Sequence, residues 1–340
     1  MNFFLPAFFL SLFGFFTVLG IRHDLLFSQG FYFFLAFFSF FFVKKYALFF
    51  RKNWSFFFWT VFFLLIITFI IGLETRGSRR WLNFYFFNFQ SSEFLKVFFI
   101  FYLADVLTRE GYYIDQLKNF VKAILTFLII VFLIFKQPDL GNAIIFSLIF
   151  LIMLLNSAIP KKIIFNFIVL AFLLLPGLWF FLKDYQKQRI VAFLNPHIDY
   201  QGTSYNIIQS IISVGSGGFF GRGLGFGTQS KLRFLPENHT DFIFASLVEQ
   251  FGFFGGIMVL ILYGLLFYFL TKKALFFLEK KSESENFLIV IGIIAYFFFQ
   301  MVINIGMNMG IMPVTGIVLP FISYGGSAFL SSFILLALIP

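Results

Sequence analysis

Asp241 is the residue whose type and setting best suit chemistry. It stands in Pro236-Glu237-Asn238-His239-Thr240-Asp241-Phe242-Ile243-Phe244, where a polar stretch gives way to a very apolar one. A carboxylate half withdrawn from water has a raised pKa, which suits a general base. Thr240 or Asp241 can equally cap the helix that follows, and spacing alone leaves both roles open. Glu93 and Lys96 stand at i, i+3, the spacing of an intrahelical ion pair. They read either as a helix start capped by Ser91 or Ser92, or as a buried pair that positions a neighbouring loop. Asp139 follows Pro138 where an N-cap belongs, and the alternative is a carboxylate that helps bind a divalent cation or a substrate hydroxyl. Arg79 and Arg80 sit beside Trp81. Arginine's planar fork fits a pyrophosphate, with generic lipid-headgroup contact as the alternative.

Other chemistries fall away. Cysteine is absent, so no disulfide holds a loop and no thiol reacts. His23, His197 and His239 lie far apart, without metal-ligand spacing. The glycine-rich run Gly221 to Gly227 lacks the Gly-Lys-Ser/Thr of a phosphate loop and follows no strand. Asp105 and Glu249 lie deeper in apolar runs, where pairing with polar neighbours is the expected fate.

These residues need a membrane-embedded frame. Of 340 residues, 60% are hydrophobic and 12% charged, far from the roughly one-quarter charged of a soluble domain. The 64 phenylalanines read as replacements of Leu, Val and Ile where lipid is the solvent, not as an aromatic binding site. A hydrocarbon core of ~30 Å needs about 20 apolar helical residues. Spans are predicted near 3–20, 27–43, 54–72, 93–107, 120–136, 140–157, 162–182, 241–270, 286–309 and 326–339. The chain thus reads as one all-α polytopic membrane domain over 1–340, with about ten transmembrane helices. The first run has neither a basic n-region nor a small-x-small cleavage site, and reads as an uncleaved span.

The net charge of +10 sits mainly in short loops, which points to topology and anionic headgroups rather than nucleic acid. With the N-terminus inside, inner loops carry thirteen basic residues and the short outer loops five (Arg22, Arg76, Arg79, Arg80 and Lys136). Both termini are therefore placed in the cytoplasm. The long connection 183–240, between helices 7 and 8, then lies outside with loop 73–92. Within it, 206–212 has apolar residues at helical spacing, as in a short helix in the membrane interface.

Several segments resemble the SEDS family (shape, elongation, division and sporulation). They are Arg76-Gly77-Ser78-Arg79-Arg80-Trp81, Gln90-Ser91-Ser92-Glu93-Phe94-Leu95-Lys96 and Lys136-Gln137-Pro138-Asp139-Leu140-Gly141. Further on come Gln188-Arg189 with Phe193-Leu194-Asn195-Pro196, the phrase around Asp241, and Leu319-Pro320-Phe321-Ile322-Ser323-Tyr324-Gly325-Gly326-Ser327. The order of motifs is kept over roughly residues 70–335. Gly227-Thr228-Gln229-Ser230 and Met312-Pro313-Val314-Thr315-Gly316-Ile317 look RodA-like rather than FtsW-like. Ser78, Ser91 and Asn142 depart from the residues usual in the family, without removing a chemical group from the proposed site.

The resemblance implies a peptidoglycan glycosyltransferase that polymerises lipid II on the outer face of the bacterial cytoplasmic membrane during elongation. It implies Asp241 as the base, Arg79, Arg80, Glu93, Lys96, His239, Thr240 and Ser323 as substrate-binding residues, and Asp139 as a ligand to Mg²⁺ or Mn²⁺. It also implies as partners the growing glycan strand, a class B penicillin-binding transpeptidase, elongation-complex membrane proteins and membrane lipids. A flippase would instead gather its ionisable groups at the bilayer midplane, between paired broken helices. A non-catalytic scaffold would tolerate loss of Asp241.

Overall fold

The computed structural model describes residues 2–75, 78–84, 88–109, 113–195, 203–280 and 283–340. Arg76, Gly77, Pro196, His197 and Lys281 lie outside them. The helices are α1 (Phe4–Ile21), α2 (Leu26–Lys45), α3 (Ala47–Lys52), α4 (Trp54–Ile71), α5 (Ser91–Thr108), α6 (Tyr113–Lys136) and α7 (Leu140–Leu155). After these come α8 (Lys161–Leu178), α9 (Asp184–Leu194), α10 (Thr203–Ser216), α11 (Thr228–Lys231), α12 (Ile243–Glu279), α13 (Ser284–Asn308) and α14 (Gly326–Ala337).

Each of the ten predicted spans corresponds to a helix: α1, α2, α4 to α8, and α12 to α14. Six helices among the described residues are long and apolar enough to cross a membrane, and α7 and α14 are shorter apolar helices. α5 carries Glu93, Lys96 and Asp105, yet it is buried along nearly its whole length, from Ser91 to Leu107. A helix covered on all sides is a core helix, and α4, α6, α7, α13 and α14 pack around it. Phe27, Phe34 and Phe38 on α2 and Phe56 and Phe63 on α4 are exposed, as expected of a surface that meets lipid. Phenylalanine also reaches the core, where Phe58, Phe99, Phe146 and Phe333 are fully buried.

Two connecting segments hold more structure than their sequences predict. Part of 73–92 forms a small antiparallel sheet, β1 (Leu73–Thr75), β2 (Ser78–Asn83) and β3 (Asn88–Phe89), in the order β1-β2-β3. Segments so short carry too little period-2 pattern to announce strands. The connection 183–240 contains α9, α10 and α11, and α10 covers the predicted amphipathic stretch and packs on α12.

α12 is kinked at Gly252, whose φ of 69° is open to glycine but costly for other residues. The glycine loop after α10 fills the break. Arg222 N donates to the Glu249 carbonyl at 2.9 Å, Gly223 N to the Gln250 carbonyl at 3.0 Å, and Phe253 N to the Gly218 carbonyl at 2.8 Å. A Cβ on Gly221 would stand 2.1 Å from the Gln250 oxygen. Backbone groups freed by the kink are thus satisfied by another backbone segment, the condition for irregular chain inside an apolar bundle.

Candidate active site

At the end of the bundle where α5, α7, α12 and α14 begin, a cavity of about 560 Å³ opens. Arg80 of β2, Glu93 and Lys96 of α5, Asn142 of α7, Arg189 of α9 and Gln300 of α13 line it. Asp139, Glu237, Thr240 and Asp241 complete its polar wall. The starts of α5, α7 and α14 line the cavity, and their partial positive charge favours an anion there.

The N-cap position of α12 is Phe242, one residue beyond Asp241, so neither Thr240 nor Asp241 occupies it. Thr240 Oγ1 instead donates to the Glu237 carboxylate at 3.1 Å. The Asp241 main chain is held from α13: its carbonyl accepts from Asn304 Nδ2 at 2.9 Å and from Asn308 Nδ2 at 3.0 Å. Ser323 Oγ donates to the Thr240 carbonyl at 2.7 Å and accepts from Leu319 N at 2.8 Å. Gly316, at φ 74°, passes close to the carboxylate, and a Cβ there would stand 3.5 Å from Asp241 Oδ2. That is ordinary contact distance, so what position 316 demands of its residue is the positive φ rather than the space.

The opposite wall is a buried polar chain. Lys96 Nζ donates to Glu93 Oε1 and to Asn142 Oδ1, both at 2.8 Å. Asn142 Nδ2 donates onward to Asp139 Oδ2 at 2.9 Å. Arg80 stands 3.7 Å from Asp139 and donates to the carbonyls of Gln137 and Pro138. The i, i+3 pair therefore forms, but Gln90, not Ser91 or Ser92, is the N-cap of α5. Ser91 Oγ lies 3.0 Å from Thr68 Oγ1, and Ser92 Oγ accepts from Asn142 Nδ2 at 3.3 Å. Both hydroxyls serve neighbouring helices instead. Asp139 does act as the cap of α7, accepting from Asn142 N at 3.3 Å.

Three of the residues named from the resemblance stand outside the lining. Arg79 pairs with Glu74 at 3.0 Å in an exposed position. Ser323 is buried behind Thr240. His239 packs its ring 5.6 Å from that of Tyr324, and burial pushes its imidazole pKa below 6.5. Asp105 pairs with Arg109 at 2.6 Å, and buried Glu249 accepts from Ser213, Gln229 and Ser230. Both find polar partners.

Residues 4–340 match the family model for FtsW, RodA and SpoVE, described as cell cycle protein. The chain belongs to the SEDS family. It is 39% identical to peptidoglycan glycosyltransferase MrdB of Escherichia coli (strain K12) over 266 residues, 78% of this chain and 70% of that one. It is also 39% identical to the probable peptidoglycan glycosyltransferase FtsW of Pseudoalteromonas translucida (strain TAC 125) over 269 residues, 78% of this chain and 67% of that one. Among solved structures it resembles a chain described under structural coordination of polymerization and crosslinking by a peptidoglycan synthase complex. That likeness has a TM-score of 0.80 at 25% identity, covering 99% of this chain and 95% of the other. Identity by itself does not separate the RodA-like from the FtsW-like branch.

The SEDS resemblance implies a divalent cation at Asp139. The described residues hold no group of three His, Cys, Asp or Glu able to hold a metal. The Asp139 oxygens accept from Asn142 N, Asn142 Nδ2 and Gln90 Nε2, and the Arg80 guanidinium stands beside them. These donors do not make a protein-built cation cage.

This SEDS cavity also uses residues that the sequence reading passed over. Gln300, Asn304 and Asn308 recur every four residues on α13, so they share one face of an otherwise apolar helix. That polar stripe was the signal available for them. Arg189 belongs to a quoted motif, but only the fold carries α9 to the cavity, where its guanidinium also donates to the Val314 carbonyl at 3.3 Å. Glu237 lines the cavity two positions before His239, which does not.

Proposed function

We propose that this SEDS protein is a peptidoglycan glycosyltransferase that polymerises lipid II, in the RodA-like role of cell elongation and shape maintenance. The observation that carries this reading is Asp241 on the wall of a polar cavity facing Arg80, Arg189 and the Glu93–Lys96 pair. In this reading, Asp241 takes the proton from the acceptor's 4-hydroxyl as that oxygen attacks the anomeric carbon of the donor sugar. The bond to undecaprenyl pyrophosphate breaks with inversion, so one base suffices and no glycosyl-enzyme forms. Arg80, Arg189 and the converging helix starts offset the charge on the leaving pyrophosphate. Glu93, Lys96, Asn142 and Asp139 hold the wall that orients it. Any Mg²⁺ or Mn²⁺ would come with the pyrophosphate, as is common for Mg²⁺, and no step above depends on it.

The same reading places both termini in the cytoplasm and the cavity on the outer face of the bacterial cytoplasmic membrane. The basic-residue bias supports it. A class B penicillin-binding transpeptidase is the proposed partner, in keeping with the likeness to a chain of a synthase complex.

The deciding experiment compares wild type and Asp241→Asn, each purified with its transpeptidase partner, on labelled lipid II. The variant is expected to fold and insert normally but to make no glycan polymer. Polymer at the wild-type rate would rule out Asp241 as the base.

A further inference from the structure

At the opposite end of the bundle from the catalytic cavity, α2 and the segment after α14 end beside α12 and frame a second pocket of about 450 Å³. Lys44 of α2 and Lys272 and Lys273 of α12 line it, with Asn2, Phe3, Phe269, Phe276 and Pro340. None of the three lysines forms an ion pair among the described residues, although Lys280, Lys118 and Arg109 each have a carboxylate partner. Lys44 Nζ donates to the Ile339 carbonyl at 3.3 Å. Lys273 Nζ lies 5.4 Å and 4.8 Å above the rings of Phe276 and Phe277. Those rings position a cation without neutralising it, and Glu283, which lies near enough to feel the charge of Lys273, is already paired with Lys280.

Three like charges in one pocket repel each other, and an anion relieves that repulsion. Lysine is a compact point charge that binds phosphate without demanding a fixed plane. The walls narrow the choice of anion further. Phe276 in the lining is exposed, as are Phe41 and Phe42 on α2 and Tyr268 on α12, and both helices are of membrane-spanning length. That surface suits acyl chains hanging from a phosphate held at the lysines. We propose that the Lys44–Lys272–Lys273 pocket is a binding site for the phosphodiester headgroup of an anionic glycerophospholipid, such as phosphatidylglycerol or cardiolipin. Basic pockets between membrane helices serve this purpose. The site is independent of the glycosyltransferase reading and shares no residue with the catalytic cavity.

Native mass spectrometry of the detergent-purified full chain tests this, with cardiolipin, phosphatidylglycerol and phosphatidylcholine titrated separately. Wild type is expected to retain the two anionic lipids and to release phosphatidylcholine. The variant Lys44→Gln/Lys272→Gln/Lys273→Gln should weaken cardiolipin binding by about fivefold for each lysine removed. Lys44→Arg/Lys272→Arg/Lys273→Arg should restore it. A control, Lys118→Gln/Lys122→Gln/Lys162→Gln, removes equal charge from other helix ends and should bind as wild type. Equal loss in the control, or no loss in the pocket variant, would overturn the proposal. Displacement of lipid by inorganic phosphate at equal concentration would overturn it as well, since the pocket would then recognise free phosphate. An unchanged melting temperature of the pocket variant identifies any loss as local to the site.

Discussion

Asn308 donates its side-chain amide to the Asp241 carbonyl at 3.0 Å, while its Oδ1 accepts from the Ala245 N–H at 2.9 Å. One fully buried side chain therefore spans the proposed base and the first turn of α12. Asn308→Ala leaves the Ala245 N–H unsatisfied and removes one of the two amide clamps on Asp241. The expected cost is about 1–3 kcal/mol of stability. A shifted base also slows chemistry more than binding, so kcat for lipid II should fall on the order of tenfold to a hundredfold with KM little changed. Steady-state kinetics of polymer formation check this; a wild-type kcat would make Asn308 a structural residue only.

The helical frame and much of the site are legible in the sequence for a simple reason. Membrane spans announce themselves by length and hydropathy, and the charged residues they interrupt, such as Glu93, Lys96 and Asp139, become conspicuous. The reading fails where the cause is tertiary. Ser91 looks like a helix cap, but Thr68 of a neighbouring helix engages its hydroxyl. Thr240 and Asp241 stand where a cap belongs, yet the α13 asparagines and Ser323 fix that backbone by contacts 63 to 83 residues away. Arg79 and Arg80 are adjacent in sequence, but neighbours in a strand point to opposite faces, so only Arg80 reaches the cavity.

The Glu93–Lys96 pair is almost completely buried, with Lys96 only 1% exposed. A buried pair is worth little against apolar packing, but losing one partner strands the other charge. Lys96→Met is therefore expected to destabilise the protein by about 3–5 kcal/mol. Glu93→Gln/Lys96→Met, which removes both charges, should recover part of that loss. Apparent melting temperatures in detergent give the order wild type, double variant, Lys96→Met. If the double variant melts below the single one, the pair is not the source of the effect.

His239 contributes a pH dependence whose sign is fixed by burial. Its pKa lies below 6.5 in the folded protein, so the unfolded chain binds the proton more readily. Stability from this residue is complete above the ordinary imidazole pKa and is lost as pH falls through the window beneath it. Wild type should lose melting temperature between about pH 7 and pH 5, and His239→Gln should show a shallower decline. Parallel curves for the two proteins would remove His239 from the acid limb.

Glu249 ties the long connection 183–240 to α12. Its fully buried carboxylate accepts from Gln229 N at 2.8 Å, Ser230 N at 3.0 Å, Ser230 Oγ at 2.6 Å and Ser213 Oγ at 3.2 Å. Glu249→Ala removes the shared acceptor of α10 and α11 and leaves buried donors unmet, at a cost of about 3 kcal/mol or more. Ser213→Ala deletes a single donor from the same carboxylate and should cost about 1 kcal/mol. The loss in Glu249→Ala should be local, because the rest of α12 keeps its packing. Hydrogen exchange is the direct measurement: the amides of Gln229 and Ser230 should exchange faster in Glu249→Ala than in wild type, while those in the core of α5 keep their protection. Unchanged protection at both amides would mean that the glycine loop in the Gly252 kink, rather than the carboxylate, holds the segment in place.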